Sequence, residues 1–392
     1  MSKYRSISVF LLSLIALSIF SIFWAYPALA RDRVFLDISL DFLGEYRFSN
    51  PNLDIPVGGL TAITYDRQRD RFYALSEDSQ FAPSRFYTLK LTFNATGTEK
   101  IGIQKIDVES VTFLTDKDGK TYTQGTIDPE GIALSPQQTI FISDGTTPSI
   151  QEFDLTTGRL LTSLPIPDRY LPDAANGVER TKGVQDASAF ASLTLNPTGT
   201  IPAIGEPIRL FTATKSALVQ DREPPSSELG TKSRFLHYLI GYGPPVLIAE
   251  YLYLLDPHGI ANELVELLAL DQGGHFLSLE HSQERSGFNI QLFQMTTGGA
   301  IDTSRINSLK GSPRSIRSVK KKLLLDLKEL DISLENLQGM ALGPRLSDGT
   351  SSLLLVSNSE FAKEQATQFL LFRLNQPLRD IPQILKKTKT HM

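Results

Sequence analysis

The 392-residue chain has no cysteine. That excludes a disulfide framework, a thiolate-bound zinc or iron–sulfur centre and a cysteine nucleophile. Histidine is scarce as well. The five are His237, His258, His275, His281 and His391, and none stands in a His-Glu-x-x-His arrangement. No Gly-x-Ser-x-Gly elbow occurs, so the usual marker of a serine hydrolase is missing. Gly273-Gly274 and Gly298-Gly299 read as hairpin glycines and not as phosphate loops. Excess positive charge is lacking: 43 acidic residues face 39 basic ones, for a formal charge of −4. The chain therefore carries no electrostatic footprint for nucleic acid, and no nucleic-acid partner is expected. Glycine and proline, at 27 and 22 residues, are at ordinary levels, which excludes a disordered low-complexity chain.

Only one stretch is apolar enough to cross a bilayer. Lys3 and Arg5 precede an uncharged run from Ile7 to Trp24, followed by Pro27-Ala28-Leu29-Ala30. The small residues at 28 and 30 form an A-x-A-like cleavage site, and the proline breaks a helix just before it. Residues 1–30 are thus a signal peptide or a retained membrane-anchor helix, and in both cases the body is exported, periplasmic or extracellular. A membrane contact is expected only through an uncleaved N-terminal segment. The remaining layout is a β-domain over 31–380 and a basic tail over 381–392, with Lys386, Lys387 and Lys389. A monomer is expected.

From Val34 onward helical periodicity nearly disappears. Short apolar runs such as Arg71–Leu75, Arg85–Leu91 and Thr139–Ser143 read as strands. Asp66–Asp70, Asp116–Lys120 and Thr156–Gly158 read as the turns between them. A repeat emerges: a small or acidic residue opens a strand, a turn follows, and a second strand ends in a polar cluster. It occurs at Gly59–Asp78, Glu130–Gly145, Phe190–Lys215, Glu263–Glu280 and Gln338–Asn358. Outer strands follow at Ile150–Asp154, Phe288–Gln294 and Thr367–Leu374. Turn-matched pairs of this kind predict an all-β fold, a β-propeller with about four strands per blade. Five blades are counted, and Ser233–Asp256 leaves room for a sixth. A strand within Val34–Phe48 is placed to close the ring on the last blade. Gln220–Ser233 and the basic Gly311–Lys322 read as excursions.

In a propeller the first strand of each blade lines the channel, so residues opening those strands crowd one mouth. Calcium takes six to eight oxygens, and carboxylates from several blades could supply them. A cation there would neutralise a phosphate ester and activate water, with a carboxylate as general base. The candidates are Asp128 and Glu130, the Glu77-Asp78 pair, Glu250 and Glu280. Asp128-Pro129-Glu130-Gly131 is the best placed, because proline stiffens the entry and glycine permits close backbone approach. Asp78, Asp128, Glu130 and Glu250 are the expected metal ligands, and Glu130, Asp128 and Glu280 the expected catalytic groups. The plainer alternative is that these carboxylates satisfy backbone donors at the rim. His275 and His281, beside Glu280, are a weaker acid/base candidate. Asp66, Asp70, Asp116, Asp118 and Asp154 read as turn residues.

Four stretches resemble the phytase-like family, described as the "esterase-like activity of phytase" domain. They are Gly58-Gly59-Leu60 with Asp70–Asp78; Ile127–Leu134; Ile248–Tyr251 with Leu279-Glu280; and Asn336–Met340 with Val356–Phe361. The resemblance implies an exported propeller and a calcium-assisted hydrolase of phosphate or other esters, with a small anionic or ester ligand at the mouth. The chain departs from the family pattern at four positions. Gln338, Ala191, Lys215 and Asn358 stand where carboxylates are expected, with Glu360 nearby as a partial replacement. Each loss weakens a multivalent cation site, and Lys215 could instead meet an anionic ligand. Two readings stay open: a hydrolase, and a non-catalytic binding or scaffold propeller with a partly degenerate site.

Overall fold

Each turn-bounded strand pair becomes the inner half of a four-stranded antiparallel sheet, and there are five such sheets. The computed structural model describes residues 34–49, 57–77, 82–94, 101–173, 179–196, 206–223, 230–257, 262–284, 287–311, 316–359 and 366–376. The chain separates into Met1–Asp37, of which residues 34–37 are described, and Ile38–Met392, which holds every strand discussed below. The expected leader over 1–30 and tail over 381–392 lie outside the described residues. Among those described, no helix is long and apolar enough to cross a membrane.

Blade 1 runs from the inside outward as β2 (Leu60–Asp66), β3 (Arg71–Ser76), β4 (Arg85–Phe93) and β5 (Ile103–Phe113). Blade 2 is β6 (Pro129–Leu134), β7 (Thr139–Asp144), β8 (Ile150–Asp154) and β9 (Leu160–Ser163). Blade 3 is β10 (Phe190–Leu195), β11 (Ile208–Thr214), β12 (Lys232–Ile240) and β13 (Val246–Leu254). Blade 4 is β14 (Asn262–Ala269), β15 (His275–Glu284), β16 (Gly287–Thr296) and β17 (Lys320–Asp326). Blade 5 takes β18 (Leu337–Arg345), β19 (Ser351–Ser357) and β20 (Thr367–Asn375) from the C-terminal end, and its outer strand β1 (Ser39–Phe48) from the N-terminal end. The β1–β20 pairing, from Ser39 opposite Asn375 to Phe48 opposite Thr367, joins the two ends of the domain. The stretch 233–256 is not a sixth blade. It supplies the two outer strands of blade 3, because its two long runs pair with each other and with β11.

The second strands are buried on both faces, which is why they read as unbroken apolar runs. In β3, Phe72 and Ala74 join the core between blades 1 and 5, while Tyr73 and Leu75 join the core between blades 1 and 2. Side chains alternate across a strand, so each blade contributes to two interfaces at once. Two further cores lie between blades 2 and 3 and between blades 3 and 4. The aspartate-rich turns behave as read. The Asp66, Asp116 and Asp154 carboxylates each accept hydrogen bonds from backbone N–H groups two to four residues on.

The inner strands share an irregularity. Each has a register shift near its start, between Leu60 and Ala62, Pro129 and Gly131, Phe190 and Ser192, Leu264 and Glu266, and Leu337 and Gly339. The skipped residues are Thr61, Glu130, Ala191, Val265 and Gln338. A bulge leaves one residue out of the ladder and re-aims its side chain. These five residues therefore form an equivalent set, one per blade, at the mouth where the inner strands begin.

Candidate functional site at the propeller mouth

The bulge in β6 carries Glu130, which is 9% exposed. Its Oε1 accepts a hydrogen bond from Nζ of Lys215 at 2.8 Å. Lys215 follows the last residue of β11, and Thr214 there pairs with Phe190 across the blade 3 bulge. The backbone fixes the lysine from two sides: Lys215 N–H donates to Ala189 O, and Lys215 O accepts from Leu264 N–H. The ion pair thus spans blades 2 and 3, with blade 4 holding the lysine backbone.

Gly145 makes room for the glutamate. A Cβ at this position would lie 2.5 Å from Glu130 Cγ and 2.9 Å from both Glu130 Oε1 and Asp128 Oδ2. Gly131 answers the same crowding one residue further along β6, where a Cβ would meet Leu193 N at 2.7 Å. Asp128 is half-buried and accepts from Thr146 Oγ1 at 2.9 Å. Asp144 accepts from the N–H groups of Asp128, Thr146 and Thr147.

Charge at this mouth is shaped by burial. Desolvation pushes the Glu130 carboxyl above its ordinary range, against the opposing pull of Lys215. Desolvation also raises Asp144, against three backbone donors, and raises Glu263, against Lys215. Burial alone would lower the Lys215 ammonium, but the charge of Glu130 and its hydrogen bond outweigh that and raise it. His281 is depressed to about 4, first by burial and then by Lys215, so it is neutral at pH 7. Its Nε2 is buried without a hydrogen-bond partner, and its ring packs against Phe288 at 4.8 Å between centroids. On the blade 5 and blade 1 side the mouth is amide-lined. Asn358 Nδ2 donates to Glu77 Oε1 at 3.1 Å and to Gln338 Oε1 at 3.4 Å.

Of the sequence-predicted carboxylates, the structure brings Asp128 and Glu130 together. Asp78 and Glu360 lie outside the described residues. Glu250 sits on β13, the outermost strand of blade 3, fully buried. It accepts from Arg234 Nη1 at 2.6 Å, Tyr170 OH at 2.5 Å, Thr303 Oγ1 at 3.0 Å and Arg169 Nε at 3.2 Å. Arg234 is shared with Asp221, so this is a closed internal network. Glu280 lies opposite Leu264, level with Asp144 in blade 2. Its oxygens are taken by Tyr253 OH at 2.6 Å, Asn262 Nδ2 at 2.9 Å, Asp256 N–H at 3.2 Å and the Lys321 ammonium.

A calcium site would need several free oxygens converging. The bulge set offers one carboxylate, Glu130, and an ammonium already occupies its Oε1. Ala191 and Val265 offer no oxygen. Among the described residues, no group of three or more His, Asp or Glu side chains is arranged to hold a metal ion. The described residues therefore do not fit a resident multivalent cation.

Residues 55–361 match the Phytase-like family, described as "Esterase-like activity of phytase". The chain belongs to this family. No curated protein matches its sequence. Similar solved structures include glutaminyl cyclase from Myxococcus xanthus, at 8% identity and a TM-score of 0.37, over 87% of this chain and 99% of that one. The catalytic domain of an α-L-arabinofuranosidase from Coprinopsis cinerea is similar at 9% identity and 0.37, over 87% and 98%. The PQQ-bound aldose sugar dehydrogenase from Streptomyces coelicolor is similar at 11% identity and 0.34, over 87% and 99%. Likeness at these scores says nothing about chemistry.

One buried acid escapes the motif reading. Glu266, directly after the blade 4 bulge, is 3% exposed. It accepts from Leu267 N–H at 2.9 Å, and the backbone N–H groups of Met340 and Leu193 on two neighbouring inner strands also favour its charged form. Desolvation raises its carboxyl well above the ordinary value, against these donors. The signal was present in the sequence: a lone acid inside the apolar run Leu264-Val265-Glu266-Leu267-Leu268.

Proposed function

We propose that this phytase-like propeller is an exported esterase that hydrolyses an uncharged ester at the Glu130 mouth without a multivalent cation. The observation that carries this reading is the 2.8 Å Lys215–Glu130 pair, which puts a fixed positive charge where the family pattern expects another carboxylate. Glu130, with its raised affinity for protons, takes a proton from water as the water oxygen attacks the ester carbonyl. Lys215 stabilises the oxyanion that forms. The same carboxyl then returns the proton to the departing alkoxide. A phosphate ester is disfavoured, because the Glu130, Glu263 and Asp128 carboxylates already act on Lys215.

Purified protein lacking residues 1–30 should hydrolyse p-nitrophenyl acetate in EDTA, with turnover unchanged by added calcium. Glu130→Gln should lose it about 100-fold, in line with removal of a general base. Calcium-dependent turnover of p-nitrophenyl phosphate instead would overturn the metal-free reading. Ala191 and Gln338 in the bulge set favour a second reading, a ligand-binding propeller without turnover. That reading takes over if neither ester is hydrolysed under any condition. Export is tested separately, by fractionation and N-terminal sequencing of the expressed full chain.

A further inference from the structure

In an antiparallel blade the third strand runs the same way as the inner strand. The β12–β13 turn therefore lies at the end of the propeller away from Glu130. The first strand of the domain starts at that same end, with Ser39 of β1 opposite Asn375, the last residue of β20. In the sequence, the uncharged run Ile7–Trp24 precedes Ser39 and is separated from it by residues 25–38. That connection reaches no further than about 50 Å even when fully extended. A membrane-held Ile7–Trp24 would therefore tether the propeller by this end. We propose that the β12–β13 hairpin docks this end on the surface of a lipid bilayer, with Tyr242 seated at headgroup level. The proposal does not depend on the function proposed for the Glu130 mouth.

The hairpin carries no exposed charge. No Asp, Glu, Lys or Arg stands between Arg234 and Glu250, and those two are fully buried against each other. The turn is Gly241-Tyr242-Gly243-Pro244-Pro245, and Tyr242 within it is 85% exposed. Val246 and Ile248 follow at 53% and 39%. Exposed apolar side chains scattered singly are ordinary, but a cluster this close in sequence marks a contact surface. At the same end, each of the other four blades has an exposed charge on a turn: Arg67, Arg159, Asp271 and Asp348.

The hairpin suits lipid better than a protein strand. Pro244 and Pro245 lead into β13 with no N–H to donate. Ile248 lies out of the ladder, since His237 pairs with Ala249 and Tyr238 with Leu247. Prolines and a bulge are devices that blunt an edge against further strand pairing. A tyrosine at the tip fits the boundary of a bilayer, because its ring is apolar and its hydroxyl stays wet. Glu206 and Arg209, both exposed at the hairpin base, offset each other. Zwitterionic lipid therefore suffices, and salt should matter little. One small hairpin holds a membrane only weakly, so it acts as a second attachment beside Ile7–Trp24.

The lack of cysteine makes a single fluorescent label unambiguous. Gly243→Cys reports the hairpin tip and leaves Tyr242 in place, and a Cβ there meets nothing within 4 Å. Thr156→Cys reports another turn at the same end, and Thr147→Cys the Glu130 end; both residues are exposed. Each full-length variant carries an NBD label and is reconstituted in phosphatidylcholine vesicles containing doxyl-labelled lipid. Quenching at 243 should exceed that at 156 and 147 about threefold, with blue-shifted emission at 243 alone. Adding Tyr242→Ser and Val246→Ser should lower the quenching at 243 about threefold. Melting temperatures should stay unchanged, because both substitutions are on the surface. Equal quenching at all three sites, no quenching at 243, or no response to the two serines overturns the proposal. A blue shift at 243 that vanishes at one protein per vesicle also overturns it, since that marks contact between copies.

Discussion

The protein holds two ion-pair systems of similar composition and opposite character. In blade 3, Arg234 is shared by Asp221 and Glu250, and all three side chains are fully buried. The remaining donors and acceptors are filled by Tyr170, Thr303, Arg169, Leu309 N–H and the carbonyls of Ile306 and Asn307. Attraction to the two acids outweighs the burial that would lower it, so the Arg234 guanidinium is held charged at any ordinary pH. At the mouth, Lys215 and Glu130 are about a tenth exposed as side chains and share one hydrogen bond. Around them stand acids with raised proton affinity and a neutral histidine. The lesson is that acid identity does not reveal role. A saturated network fixes loops, whereas an unsaturated pair beside water retains chemistry.

The largest test breaks the closed network. Arg234→Met should cost about 3–5 kcal/mol, because it strands two buried carboxylates. Urea unfolding measures this, and a loss below about 1 kcal/mol would remove the contrast with the mouth. Next comes Gly145→Ala, whose Cβ collides with Glu130. A destabilisation of about 1–3 kcal/mol is expected from overpacking, together with loss of esterase turnover. Retained turnover would show that the Glu130 position is not critical.

Lys215→Met sharpens the comparison through pH. Glu130 has a folded proton affinity above its unfolded value near 4.5. Its folded form therefore binds more protons, and stability falls as pH rises from about 4.5 through the raised value. Lys215 opposes that rise, so removing it should extend the decline above pH 4.5 to higher pH, as seen in melting temperatures. An unchanged profile would mean that the pair is not coupled. The smallest effect concerns His281. Depressed to about 4 from 6.5, it contributes stability that is complete above pH 6.5 and is lost as pH falls towards 4. His281→Phe should flatten that acid limb slightly, and the His281 ring resonances should not titrate above pH 5.

Much of the fold was legible because propeller strands alternate with turns at regular intervals. The polar clusters Ser76-Glu77, Asp144-Gly145 and Ser357-Asn358 marked the ends of the second strands. Blade 3 was harder, since its two outer strands are long and stand apart from the repeat. The mouth was partly legible. Asp128-Pro129-Glu130-Gly131 announced itself, and Lys215 stood out against the family pattern. Glu250 resembled a mouth acid, and Glu280 an available one, because sequence shows charge without showing partners. The basic run Lys320–Lys322 read as part of an excursion, yet it opens β17, and Lys321 lies over the Phe293 ring and pairs with Glu280 and Asp256.

By itself, the sequence determined the class of the fold, the blade rhythm, the closing role of the first strand and the chemistry ruled out by missing cysteines and motifs. These are properties of local periodicity and composition, which need no long-range information. Tertiary structure alone decided which acids share a mouth, that Lys215 reaches Glu130 across a blade boundary, and that Glu266 is buried beside two neighbouring inner strands. It also decided that the Tyr242 hairpin and the start of the first strand share the far end. Each depends on residues dozens of positions apart becoming neighbours around one axis, and on whether water or another side chain fills the space between them.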